Sequence, residues 1–159
     1  MSPTALGDLL GRLGPSLTLF ARQYTAAAED AVQDAFVRLA GLRQPPDNPE
    51  AWLFRVVRNR ALDLRKTDAR RKRREETHRP AAWFVEPAVD GLDAEVAVAA
   101  LQRLPVAERE VIIARLWGGL TLAEVGAALD CSAVTAHRRY EAGVARLREL
   151  LGEPCPNNP

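Results

Sequence analysis

Apolar side chains recur every three or four positions along most of this chain, and no segment keeps the apolar–polar alternation of a β-strand. The spacing predicts seven helices, at about residues 6–24, 27–42, 48–76, 93–103, 105–117, 121–129 and 132–151. Proline and glycine cluster between these segments, where they end helices. We therefore predict an all-α protein.

Two helices of the first half have apolar stripes that predict a buried side. The stripes consist of Val32, Ala35, Phe36, Leu39 and Ala40 in the second helix, and of Leu53, Val56, Val57, Ala61 and Leu64 in the third. The third helix also has a strong start signal, with Asn48 as N-cap, Pro49 at the first helical position and Glu50 next to it. These signals make the third helix the best-defined element of the first half.

The second half contains the sharpest local signal. Thr121 and Glu124 have the spacing of a capping box, and Ser132 can cap a further helix after a short turn. Two capped helices joined in this way are typical of a helix-turn-helix, whose second helix can enter the DNA major groove. An ordinary helical hairpin with a polar outer side is the alternative.

Three helix-breaking residues, Pro80, Pro87 and Gly91, indicate a linker between the two halves. The predicted organisation is two small helical domains joined by a flexible linker, the C-terminal one a helix-turn-helix. Its bounds are residues 1–76 for the first domain, 77–92 for the linker, 93–152 for the second domain and 153–159 for a tail.

Composition narrows the class of protein. The chain has 159 residues, 47% apolar and 27% charged, which excludes wholesale disorder. No apolar stretch is long enough to span a membrane, and residues 1–13, which include Asp8, lack the pattern of a secretory signal. The two cysteines, Cys131 and Cys155, fit a reducing compartment. We therefore expect a cytoplasmic protein with no membrane insertion.

The net charge of +1 hides a segregation of charge along the chain. Residues 51–80 hold eleven Lys and Arg against four Asp and Glu, whereas residues 1–50 hold four against six and residues 81–110 two against six. A basic block between acidic neighbours indicates a polyanionic partner at one place on the surface. A solvated helix side is the alternative.

The sequence lacks the residue motifs and spacings that are typical of catalytic sites. His78 and His137 have no partners at metal-ligand spacing, and the chain has no phosphate-binding loop or hydrolase motif. Asp30 and Asp34 are four residues apart and could hold a metal, but a solvated or protein-facing acidic side is the preferred interpretation. We expect no enzymatic activity, no cofactor and no metal.

The basic third helix also contains aromatic and amide side chains. Trp52, Phe54 and Asn59 lie among arginines, and a ring beside a positive charge suits an unstacked base and its phosphate. For Trp52, however, burial in the core is the preferred interpretation.

Three separated motifs resemble bacterial RNA polymerase sigma factors of the extracytoplasmic-function (ECF) group. Residues 28–39, AEDAVQDAFVRL, resemble the helix that binds core polymerase, and residues 52–63, WLFRVVRNRALD, resemble the promoter-melting segment. The stretch from Leu104-Pro105 through GLTLAEVG to Cys131-Ser132 resembles the promoter-reading domain. The motifs occur in the family's order.

The resemblance implies a sigma factor that binds core RNA polymerase, directs it to promoters and assists their opening. It assigns three sets of residues. The set that binds core polymerase is Asp30, Gln33, Asp34 and Val37. The set that meets the −10 element is Arg55, Arg58, Asn59, Arg65 and Lys66. The set that meets the −35 element is Thr135, His137, Arg138 and Arg139. The resemblance thus implies promoter DNA as a second partner. Many members of the family are held inactive by an anti-sigma factor, so we expect this partner as well.

The chain departs from the family pattern in the long helix that begins at Ser132. Glu141, Ala142 and Ala145 stand where members often have basic residues, and Gly143 interrupts the helix at a cost of roughly 1 kcal/mol. Two rival functions stay open at this point. One is a stand-alone helix-turn-helix regulator, and the other is an adaptor that occupies polymerase through the first domain without reading DNA.

Overall fold

The computed structural model describes residues 1–72 and 94–152 of the chain. The chain divides into two compact units, Met1–Val85 and Glu86–Pro159. Every regular element within the described residues is a helix, which confirms the all-α prediction. The predicted linker, the tail, His78 and Cys155 lie outside those residues.

The first unit consists of three helices, α1 (Pro3–Ala21), α2 (Ala28–Gly41) and α3 (Pro49–Lys72), each of which packs against the other two. Phe20 of α1 lies at the centre of this unit. Its ring meets Phe54 of α3 edge-on at 5.0 Å between centroids, and Tyr24 at 5.7 Å. Edge-to-face aromatic pairs of this kind add to the apolar burial, so this cluster ties α1 to α3.

Local capping explains where α1 and α3 begin. The Ala5 N–H donates to Ser2 Oγ at 3.2 Å, and Pro3 occupies the first helical position, so α1 starts three residues before the predicted Leu6. The Ala51 N–H donates to Asn48 Oδ1 at 2.9 Å, which confirms the predicted cap of α3.

The apolar stripes are buried or half-buried except at Ala40, which is exposed. The prediction was also wrong about Phe54 as a platform for bases, because its side chain is fully buried against Phe20. Trp52 is half-buried. Phe54 is therefore a core residue and is not available to a ligand, whereas Trp52 is partly accessible.

Two of the ion pairs between the helices of the first unit involve glutamates. Arg12 of α1 contacts Glu50 of α3 at 2.7 Å, and Arg22, just after α1, contacts Glu29 of α2 at 2.6 Å. The hydrogen bonds from the two guanidinium groups hold the pKa of both glutamates below its usual value. Partly exposed pairs of this kind contribute little to stability, but they fix where these arginines lie.

The second unit contains α4 (Ala94–Gln102), α5 (Val106–Ile112), α6 (Leu122–Ala128) and α7 (Ala133–Leu151). The predicted helix over 105–117 is regular only as far as Ile112, because Ile113–Trp117 form a π-helical turn. The turn ends at Gly118 and Gly119, and Gly119 has the positive φ of 68° that favours glycine.

Gly143 is the point of closest packing between α5 and α7. A Cβ atom there would lie 2.5 Å from Ile112 Cδ1 and 3.2 Å from Glu108 Cβ. The prediction that Gly143 only interrupts the helix was therefore incomplete. The missing side chain allows α7 to approach the buried Ile112 of the core.

The caps of the helix-turn-helix form as predicted. Thr121 Oγ1 accepts from the Glu124 N–H at 3.2 Å, and Glu124 Oε2 accepts from the Thr121 N–H at 2.7 Å. Ser132 Oγ accepts from the Thr135 N–H at 3.0 Å. These bonds confirm a helix-turn-helix built from α6 and α7.

Gly126 allows α6 to lie close to the turn that follows it. A Cβ atom there would lie 2.8 Å from the Cys131 carbonyl oxygen and 3.2 Å from the Ala133 nitrogen, both backbone atoms. The Cys131 N–H also donates to the Gly126 carbonyl at 2.9 Å. Backbone atoms cannot rotate away as a side chain can, so this position requires glycine.

We expect Gly126→Ala to lower the free energy of unfolding by about 1–3 kcal/mol because the added methyl group collides with backbone. Gly7→Ala is the matched control, since no atom lies within 4 Å of a Cβ at Gly7. Alanine there should stabilise α1 by about 0.5–1 kcal/mol through helix propensity. Urea unfolding followed by circular dichroism measures both, and equal effects would contradict the close approach at Gly126.

Candidate functional site

The outer side of α2 has two different kinds of surface. Asp30 and Gln33 are exposed, and so is Val37, with 65% of its surface accessible. Asp34 is half-buried and accepts a hydrogen bond from Arg60 Nε of α3 at 2.6 Å. Three of the four residues assigned to polymerase binding therefore face outward, and the fourth joins α2 to α3.

A groove of about 650 Å³ runs between α1 and α2 beside these residues. Its lining is mainly apolar and includes Leu6, Leu10, Phe36 and Val37. The polar Gln33 also lines it. Leu10 is 47% exposed. The groove is not among the features predicted from the sequence, although the spacing of Leu6 and Leu10, one turn apart on α1, was a signal for it.

The residues assigned to the −10 element lie on one side of α3. Arg55, Asn59, Arg65 and Lys66 are exposed, and helical geometry places them with Arg58 within an arc of roughly 120°. Arg58 is half-buried, and its guanidinium lies 6.0 Å from the centre of the Tyr24 ring. Four of the five residues in this arc are therefore exposed, and the fifth, Arg58, lies against Tyr24.

Asn59 is exposed, so burial as a structural amide does not apply to it. An amide presents both a donor and an acceptor, which suits the edge of a base. Asn59 is the polar uncharged member of the arc.

The residues assigned to the −35 element divide into two pairs on α7. His137 and Arg138 are exposed, and His137 lies 3.2 Å from Glu141 one turn later. The hydroxyl groups of Thr135 and Ser132 form a hydrogen bond of 2.9 Å within the N-terminal cap of α7. Arg139 turns toward α5, where its guanidinium lies 3.7 Å from the carboxylate of the buried Glu110.

Within the described residues no group of three or more His, Cys, Asp or Glu side chains is arranged to hold a metal ion. No helix in the same ranges combines the length and apolar character that crossing a membrane requires.

Each of the two units matches a known protein family. Residues 9–75 match the family Sigma-70 region 2, and residues 100–149 match Sigma-70, region 4. The RNA polymerase sigma factor CarQ of Myxococcus xanthus is 31% identical over 94% of this chain and 90% of its own length. The ECF RNA polymerase sigma factor EcfG of Rhodopseudomonas palustris is 31% identical over 91% and 83%. The chain belongs to the ECF family of RNA polymerase sigma factors.

Two solved structures of sigma factors are also similar. The sigma factor RpoE of Bartonella quintana, in complex with the anti-sigma factor NepR, has a TM-score of 0.73 and 27% identity over 92% of this chain and 95% of RpoE. CnrH, in complex with the cytosolic domain of CnrY, has a TM-score of 0.61 and 28% identity over 95% and 90%.

As an ECF sigma factor, the chain directs transcription initiation from promoters. Both sigma regions are present in the family's order, so the stand-alone helix-turn-helix regulator is not favoured. The relatives are sigma factors, a class that is not enzymatic in the catalytic sense.

The positions of Arg138 and Arg139 predict that removing their charges changes the free energy of unfolding by different amounts. Arg139→Met leaves the buried carboxylate of Glu110 with fewer favourable contacts, so the free energy of unfolding should fall by about 1–3 kcal/mol. Arg138→Met, on the exposed side of the same helix, should change it by less than about 0.5 kcal/mol. Chemical unfolding of the two variants tests this, and a larger loss for Arg138→Met would overturn the assignment.

Proposed function

We propose that this sigma factor divides its work among three surfaces on two domains. Residues 1–76 bind core polymerase through α2 and the −10 element through α3, and residues 93–152 bind the −35 element through α7. Residues 77–92 link these domains, and residues 153–159 form a tail. The observation that carries the proposal is that two sigma regions, matched in order, fall in the two separate units.

Docking on core polymerase uses the outer side of α2. Asp30, Gln33 and Val37 support this because they are exposed beside the apolar groove, where a partner can bury Val37 and Leu10 together. The acidic residues favour a basic partner surface. Asp34 contributes to the same surface, with its carboxylate oriented by Arg60.

Contact with the −10 element uses the arc on α3. The exposed Arg55, Arg65 and Lys66 supply charge for phosphates, and Arg58 lies against Tyr24 at the side of the arc. Asn59 meets a base that has left the stack, as an amide can recognise a base edge.

Contact with the −35 element uses the first half of α7. His137 and Arg138 are exposed there, where an arginine can pair with guanine in the major groove. Thr135 and Arg139 belong to the same segment, the first at the cap and the second at the contact with α5.

The proposal includes three further properties. The protein acts in the cytoplasm, where core polymerase is, and it has no catalytic activity, cofactor or metal of its own. An anti-sigma factor holds it inactive, and the complexes of the similar RpoE and CnrH support this.

Run-off transcription with purified core polymerase tests the proposed function. A library of promoter fragments is transcribed with and without the protein, and we expect specific transcripts only when it is present. Tight binding to core polymerase without any transcript would favour the adaptor. Tight binding to DNA in the absence of polymerase, with no effect on transcription, would favour the stand-alone regulator.

Asp30→Arg should weaken binding to core polymerase roughly tenfold or more, because a positive charge then faces a basic partner. Asp30 is preferred to Asp34 for this test, since Asp34 also pairs with Arg60 inside the unit. Asp8→Arg on α1 makes the same change of charge at another exposed position and should leave affinity nearly unchanged. Titration of labelled protein with core polymerase measures this, and equal losses for both variants would remove Asp30 from the interface.

Asn59→Ala should reduce promoter opening and relax base preference at one position of the −10 element, with unchanged thermal stability. Loss of a base contact costs about 1–3 kcal/mol, whereas loss of a phosphate contact weakens binding uniformly. Lys66→Ala is the comparison, because its loss should weaken opening on all −10 sequences alike. Permanganate footprinting on single-base promoter variants separates the two patterns, and a uniform loss for Asn59→Ala would show that it reads no base.

A further inference from the structure

The packing of Gly143 fixes which side of α7 faces solvent. Gly143 lies against Ile112, and Ala136, on the same side of the helix, is fully buried. Nine residues before Gly143, on the opposite side, stands Val134. Its side chain is 61% exposed, and the polar His137 and Arg138 near it are exposed as well.

Val134 is the second residue of α7 after the Ser132 cap. The N-terminal residues of a recognition helix are those that reach base edges. Thr135 is turned to the cap and Arg139 to Glu110, so the outward side of this first part of α7 presents Val134, His137 and Arg138.

We propose that Val134 is a specificity determinant of the −35 contact and that it recognises the C5-methyl group of a thymine. The inference rests on the proposed function of α7 as the helix that enters the −35 major groove. Valine has no polar side-chain atom, so it cannot hydrogen-bond a base. The methyl group of thymine is the apolar feature that base pairs present in the major groove, and burying both apolar groups against each other favours binding.

The test uses the complete holoenzyme and a promoter that it selects from a library randomised across the −35 element. Each thymine of the selected element is replaced in turn by deoxyuridine, which removes only the methyl group. With the unaltered protein, one replacement should weaken binding about fourfold, the effect expected for one buried methyl group. With Val134→Ala, the same replacement should have a clearly smaller effect, because the two γ-methyl groups of valine are gone and only the Cβ atom remains.

Val96→Ala is the matched control, since Val96 is also an exposed valine of the second unit but lies on α4. It should keep the full fourfold effect of deoxyuridine. Alanine at position 134 favours a helix more than valine does, so Val134→Ala is expected to fold.

The outcomes separate this inference from the function on which it rests. A selected element without thymine on either strand, no sensitive thymine, or the same sensitivity in Val134→Ala would overturn the role of Val134 and leave the sigma function intact. Failure of the unaltered protein to form a holoenzyme that selects any promoter would overturn both.

Discussion

The side of α7 that is available to a ligand depends on one close contact, that of Gly143 with Ile112. A Cβ atom at position 143 would lie 2.5 Å from Ile112 Cδ1 and 3.2 Å from Glu108 Cβ, so these side chains would have to shift to admit it. Gly143 and Ala136 are the buried residues of α7, and they mark the side of the helix that faces the core. Arg139 is then directed to Glu110, and the side opposite Gly143 is left to solvent. Glycine weakens the helix locally, but it gives the helix a defined orientation.

A similar division operates in the first unit, where neighbouring arginines of α3 have different environments. Arg60 bonds to Asp34 on α2 and Arg58 lies over the Tyr24 ring, whereas Arg55 is exposed. Charge content alone therefore overstates how much of α3 is open to a polyanion. The buried Phe20–Phe54 pair sets this division, since it determines which side of α3 faces inward.

Local signals made much of this structure predictable from the sequence. The caps at Asn48 and Ser132 and the box at Thr121 join residues only three apart, so the sequence contains all the information that they require. The pairing of Arg139 with Glu110, 29 positions away, depends on how α5 meets α7 and has no local signal. The burial of Phe54 was missed for the same reason, because its partner lies on α1.

The acidic residues of α2 show how the internal pairing shapes the proposed docking surface. Glu29 is paired with Arg22 and Asp34 with Arg60, which leaves Asp30 as the exposed acid without a pairing role between helices. Paired carboxylates attract a basic partner less, since the neighbouring guanidinium offsets their charge. The exposed Val37 and Leu10, which line the groove, are then the largest apolar area that the proposed docking surface offers a partner. In the proposed division of surfaces, docking on polymerase relies mainly on apolar contact, and contact with DNA through α3 relies on charge.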